Sequence, residues 1–257
     1  MSVFLDDVQL NKVCPSIFAL GGSFNTSDKY GFIPTINVVN GLRDNGFFPV
    51  MAGQSRTRVE EKKNHTKHIM RFRHKDAIQV GGVIPEIVLV NSHDGSTSYQ
   101  LRAGVYRLVC SNGMIVGNDI FCRRVKHQGC VVDRVVEAAN DLIEVVPISV
   151  KKAIEWQQIE LNPKQKIILA ESAMSMKWQA DSKMKPESLL VPKRSADTKN
   201  DLWTTFNVIQ ENVIRGGIRY RTEEGQRQTT RPVNSVGENV RLNTALWMLT
   251  EKMAELI

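Results

Sequence analysis

Apolar positions along this chain follow two periods, and the change between them falls near residue 131. Upstream they run in short blocks or alternate. Ile87, Val88, Leu89 and Val90 form a β-branched block bounded by Pro85 and the turn formers Asn91 to Ser96. That pattern predicts a buried strand and a turn. Tyr99 to Cys110 reads as the returning strand, and Ser111-Asn112-Gly113 as the next tight turn, because Asn-Gly takes positive φ cheaply. Phe121 to His127 supplies a third strand. Phe47 to Gln54 is a further strand that Pro49 places at an edge or a bulge. Lys67 to Arg73 alternates, with His68, Met70 and Phe72 on one face and Lys67, Ile69, Arg71 and Arg73 on the other. Thr35 is a cap for a short helix over 36–45, and Ser27 to Gly31 reads as a turn.

From Val131 the period becomes 3.6. Val132, Val135, Val136, Ala139, Leu142, Ile143 and Val146 make one apolar stripe, which Pro147 is expected to end. Residues 148–160 then begin a second helix, and Asn162-Pro163 caps a third that runs to about Trp178. Residues 179–199 have two prolines and little periodicity, and read as a mobile surface loop. Asn200 or Asp201 caps a helix through Trp203, Phe206, Ile209 and Val213, closed by Gly216-Gly217. A basic polar loop follows. Ser235 and Glu238 form a capping box for a last helix, with Leu246, Leu249 and Met253 on its inner face. The fold class is therefore α+β. An antiparallel sheet is built around a β-hairpin at about 86–110, with a third strand and a long amphipathic helix, and a helical C-terminal half follows. Residues 1–147 are expected to form the core domain, with 148–257 a helical region packed on its sheet.

Charge adds a partner to this picture. The 257 residues carry a formal net charge of +7, which favours an anionic partner. No apolar run approaches the roughly 20 residues of a spanning helix, and the N-terminus lacks a signal-peptide pattern. The expectation is a cytoplasmic protein with no membrane contact. Cys14, Cys110, Cys122 and Cys130 show no C-x-x-C spacing and read as free thiols.

Candidate chemistry thins on inspection. A nucleophile pairing Cys110 with His93 and Asp94 meets a geometric objection, since about eleven strand residues span on the order of 30 Å. His65, His68 and His74 do not share a closely spaced face, so no metal site is expected. Gly-x-Gly-x-x-Gly and the P-loop are absent, so no nucleotide cofactor is expected. An enzyme reading survives only as a hydrolase-type pocket that gathers Ser92, His93, Asp94 and Asn112. It requires a concave site bearing His93 and Asp94. Basic residues are the stronger signal. Arg56, Arg58, Lys67, Arg71 and Arg73 are the expected phosphate contacts, with Arg219, Tyr220 and Arg221 as a second clamp in which Tyr220 stacks on a base.

Several segments also resemble a known family. CPSIFA, GFFPVMAGQSR, PEIVLVNSHDGSTSYQLRAGVYRLVCSNGMIVG, DLWTTFNVIQENVIRGG and RLNTALW are similar to the phage/plasmid-like family called domain of unknown function 932. The resemblance covers nearly the whole chain. It implies a mobile-element setting and no established activity. The strand-strand-strand-helix order over 86–146 looks like the core of single-strand annealing proteins of the RecT and Red beta types, which oligomerise and hold single-stranded DNA in a basic groove. These readings converge on a basic, homo-oligomeric protein expected to bind single-stranded DNA, with strand annealing in recombination or replication as the further expectation. A protein that captures a host factor is the other alternative.

Overall fold

The computed structural model describes residues 4–23, 26, 30–108, 112–117, 121–178, 184–222 and 225–257. Its centre is a six-stranded antiparallel sheet formed by β1 (Phe47–Gln54), β2 (His68–His74), β3 (Val83–Asn91), β4 (Tyr99–Arg107), β5 (Asn112–Ile115) and β6 (Cys122–Val125). The first four strands pair in chain order. The far edge of β4 is shared, with β5 along residues 104–107 and β6 along 99–102. The expected hairpin is thus the middle of the sheet. Pro49 lies where the β1–β2 register shifts, at a bulge on an edge strand. A proline cannot donate to a ladder, so this is where one is tolerated.

The period-two pattern sorts the sheet into faces. Met70, Phe72, Ile87, Leu89, Tyr99 and Leu101 pack on one side against α2 (Thr35–Asp44) and the first half of α3 (Val131–Trp156). On the other side Ile69, Val88, Val90 and Ile115 are met by Val236 and Val240 at the start of the last helix. A short N-terminal helix, α1 (Asp7–Val13), is closed by a capping box between Asp6 and Gln9.

Helix α3 does not stop at Pro147. It continues to Trp156 with the proline inside. The stripe simply resumes beyond it, burying Val150, Ala153 and Trp156. Pro147 is on the exposed side of the helix, one turn beyond the exposed Ile143, whose carbonyl loses its helical donor. Burial of the second half offsets the helix penalty. Pro147→Ala is therefore expected to stabilise the protein by about 2–3 kcal/mol, read as a higher denaturation midpoint. An unchanged midpoint would show that the ring is a packing requirement. The domain boundary expected at 147 accordingly falls inside one continuous helix.

The helical half packs on the sheet end. Helices α4 (Pro163–Ser175), α5 (Leu202–Arg215) and α6 (Val236–Glu255) are capped by Asn162, Asp201 and Ser235, whose side chains accept from Gln165, Thr204 and Glu238 amides. Trp156, Trp203, Phe206 and Trp247 form one aromatic cluster, with Trp156 and Trp247 centroids 4.7 Å apart. Val83, Ala103, Val105 and Met114 of the sheet belong to the same core. The segment expected to be a mobile loop is anchored where it is described. Leu189 is buried, and Asp197 pairs with Arg107 of β4 at 2.6 Å. The basic loop before α6 folds into a small hairpin of β7 (Arg219–Arg221) and β8 (Arg227–Thr229). Three-residue polar strands leave no periodicity to read.

Candidate nucleic-acid interface

Alternation does place Arg71 and Arg73 on one face, as the sequence predicts, but that face is interior there. Arg71 Nη1 donates to Glu86 Oε2 at 3.1 Å, and Arg73 Nε to Glu86 Oε1 at 2.8 Å. Arg71 also donates to the carbonyls of Gly113 and Met114. The Arg73 guanidinium lies 4.1 Å over the Tyr106 ring. The Glu86 side chain is fully buried and both arginines nearly so. A Cβ at Gly113 would run into the Arg71 guanidinium, so glycine is needed there. These two arginines tie β2 to β3, β4 and β5, and they are withdrawn from solution as phosphate contacts. The other expected contacts divide. Arg56 and Arg58 are exposed, and Lys67 is half-buried. Arg219 and Arg221 are exposed on the small hairpin, where Arg221 donates to the Gly225 carbonyl. Tyr220 packs partly on the C-terminal core and donates its hydroxyl to Gln228 Oε1, so its ring is not a free stacking platform.

The Asn91–Gly95 turn divides as well. Asn91, Ser92 and His93 are buried, while Asp94 is exposed. His93 joins a polar network under α2 that also holds His68, Asn91, Tyr99, His127 and Thr35. Its proton pattern follows from the partners. His68 Nδ1 faces the Thr66 carbonyl at 3.1 Å and must donate, so Nε2 accepts from the Thr35 hydroxyl at 3.1 Å. With that proton used, Thr35 accepts from His93 Nε2 at 3.0 Å and from Asn91 Nδ2 at 3.2 Å. His127 Nε2 faces two oxygens, Asn91 Oδ1 and the Thr97 carbonyl, and also donates. All three rings are neutral. Burial pushes His68 down to about 4 and His93 to about 3, the neighbouring imidazoles adding to the latter. Burial also lowers His127. The network is a packed structural core. Asp94 lines a cavity of about 370 Å³, and the buried His93 is not among the residues that line it, which counts against the hydrolase reading. Asn112's side chain and Cys110 lie outside the described residues. Among the described residues no three of His, Cys, Asp and Glu are placed to hold a metal ion. Cys14 is buried and its thiol is pushed up to about 11, chiefly by burial, while Cys122 is half-buried and Cys130 exposed, all three free.

A surface of a different character lies where α6 crosses the second face of the sheet. A groove of about 490 Å³ runs between α6 and strands β3, β4 and β6. Lys67, Arg102, Arg124 and Arg241 line it, beside the apolar Val90, Val240 and Met248. Arg241 is held by both oxygens of Glu238, with Nη2 at 2.6 Å and Nε at 2.8 Å, and that pairing raises its pKa. Lys67, Arg102 and Arg124 have no carboxylate partner among the described residues. Arg102 uses one nitrogen on Gln100, while its Nε is closed off from water and unpaired. The Thr244 hydroxyl on the facing wall is unpaired too. Cations without counter-charges on one groove suit an anionic ligand. Of the expected contacts only Lys67 belongs to this groove. Arg102 and Arg124 are diagonal neighbours on β4 and β6, since Arg124 lies opposite Gln100 and Arg102 opposite Cys122, and only the pairing of distant strands brings them together with α6. A larger cavity of about 710 Å³, between the start of β3 and the middle of α3, is mainly apolar and contains none of the expected contacts.

Comparison with known proteins gives kinship without a function. Two proteins of Escherichia coli (strain K12), UPF0380 protein YfjQ and UPF0380 protein YafZ, are each 39% identical to this chain over 246 residues, covering 95% of it and 90% of their own length. No solved structure matches at a significant level. Among the described residues no helix is long and apolar enough to cross a membrane. The model of the family described as Domain of unknown function (DUF932) matches residues 25–247, and the chain belongs to that family.

Proposed function

We propose that this protein binds single-stranded DNA in the groove between α6 and the sheet. The observation that carries the reading is the convergence of Lys67, Arg102 and Arg124, without carboxylate partners among the described residues, on one groove. Phosphates meet the cations, and bases lie against Val90, Val240 and Met248 on the same walls. A duplex keeps its bases stacked inside and offers this mixed surface only its backbone, so a single strand is the better fit. Arg56 and Arg58, exposed beyond Lys67, extend the positive field that draws the strand in. By topology alone, the reading extends to annealing of complementary strands by a homo-oligomer during recombination or replication of a mobile element. Sizing with and without oligonucleotide, and a strand-annealing assay, test that extension by themselves.

Binding of a labelled single strand, followed by anisotropy between 50 and 200 mM salt, tests the groove. The expected result is a steep loss of affinity with salt, and Arg102→Ala with Arg124→Ala lowers the slope of log K against log salt by about 1.4, from two phosphate contacts at ~0.7 each. Absence of binding at low salt, or an unchanged slope in the double variant, rejects it.

A further inference from the structure

Lys67 borders a second cavity besides the groove. This polar pocket of about 370 Å³ is lined by Lys62, His65, Lys67, Ser55, Thr57 and Asp94, among others. Resting on the single-strand reading above, we propose that it seats the terminal phosphate of the bound strand. Three features point to a phosphomonoester here. Lys62 and Lys67 place two positive charges on one small pocket, which suits a terminal group of nearly two negative charges better than a bridging diester of one. His65 also lines the pocket, and its Nδ1 has no partner among the described residues but is closed off from water, so the ring turns before it meets a ligand oxygen. The backbone of the same turn is fixed, because the His65 carbonyl accepts from the His93 amide at 3.1 Å, and Ser55 Oγ accepts from the Val236 amide at 3.3 Å.

Asp94 decides between a strand end and free phosphate. Burial pushes its carboxyl up, but hydrogen bonds from Ser96, Ser92 and the turn backbone outweigh that and hold it below its ordinary value. It stays an anion and opposes bare phosphate. It accepts instead from a sugar hydroxyl or a base amino group, so the ligand that satisfies the whole pocket is a nucleotide with its phosphate toward the lysines. Lys67 belongs to both cavities, so a strand in the groove reaches this pocket with its terminus.

The test compares three labelled oligonucleotides of one sequence, with a 5′ phosphate, a 3′ phosphate or only hydroxyl ends, at fixed salt. One phosphorylated end is expected to bind about tenfold tighter than the hydroxyl-ended strand, the scale of a charge-assisted contact. Lys62→Ala is expected to collapse that ratio toward one, whereas Lys75→Ala, at an exposed site outside both cavities, keeps it. Equal affinities of all three strands overturn the terminal-phosphate site and leave the groove standing. No binding of any strand overturns both. A ratio that falls equally in both lysine variants reduces the effect to general charge and overturns the site. Free adenosine monophosphate is the last arm. If it binds with the same dependence on Lys62 while strand ends give no advantage, the pocket belongs to a free nucleotide and the strand-end proposal fails.

Discussion

Glu86→Ala is expected to destabilise the protein by about 3–5 kcal/mol, enough to unfold a large share of a marginally stable domain. The Glu86 side chain is fully buried and accepts from Arg71 at 3.1 Å and Arg73 at 2.8 Å. Removing it leaves two guanidinium charges inside the sheet without their carboxylate. Arg71 keeps two carbonyls and Arg73 keeps contacts that include the face of Tyr106, which lessen the loss. Glu86→Gln keeps the shape and loses the charge, and should fall between. Replacing all three residues by apolar ones of similar volume is expected to be close to neutral, because the desolvation penalty leaves with the charges. Urea denaturation reads all of these, and a loss below about 1 kcal/mol for Glu86→Ala would show that the arginines find other partners. The same geometry decides how binding is tested. Arg71→Ala or Arg73→Ala disturbs the sheet, so a weakened affinity in either variant reports on folding, whereas Arg102 and Arg124 face the groove.

Residues whose role is set by local pattern were legible, and those set by distant pairing were not. The β-branched block at 87–90 and the Asn91–Gly95 turn predicted β3 and its turn correctly, and Asp201 and Ser235 marked two helix starts. Pro147 misled, because a proline ends a helix only when the next turn has nothing to bury, and Val150, Ala153 and Trp156 are buried just beyond it. Alternation put Arg71 and Arg73 on one face but carries no record of which face is covered. Their acid partner lies at least 13 residues further along the chain. The groove is illegible for the same reason, since it needs residue 67, strand residues 102 and 124, and a helix that begins at residue 236. Three cations without a carboxylate partner among the described residues become a site only after the chain has closed over more than 150 residues. A signal did exist in Arg102 and Arg124, each an arginine at a non-core strand position, yet only the β4–β6 register makes them neighbours.

Mild acid should destabilise this protein steeply, between pH 6.5 and about 4. His68, His93 and His127 are neutral and buried, and their hydrogen bonds place a donor on one ring nitrogen of each. Burial lowers His68 to about 4 and His93 to about 3, from an ordinary 6.5, and lowers His127 as well. Below pH 6.5 the unfolded chain therefore binds protons that the folded chain refuses, and the stability present above 6.5 is lost as pH falls toward the folded values. His68 and His93 each cost about 2 kcal/mol between pH 7.5 and 5, about 4 kcal/mol together, and His127 adds to the loss in the same direction; that is a large share of the stability of many domains. Carboxylates held below their ordinary value, such as Asp94, Glu211 and Glu238, begin to lose their contributions only as pH falls through that ordinary value, which leaves the upper part of this window to the imidazoles. His93→Gln separates the cause from general acid sensitivity. The glutamine amide can still donate to Thr35, but it does not titrate, so the variant should take up about one proton fewer on unfolding at pH 5.5, measured as the slope of unfolding free energy with pH. A slope that stays flat from pH 7.5 to 5 in the unmodified protein would mean that these rings protonate in place, and the neutral network drawn from their hydrogen bonds would be wrong.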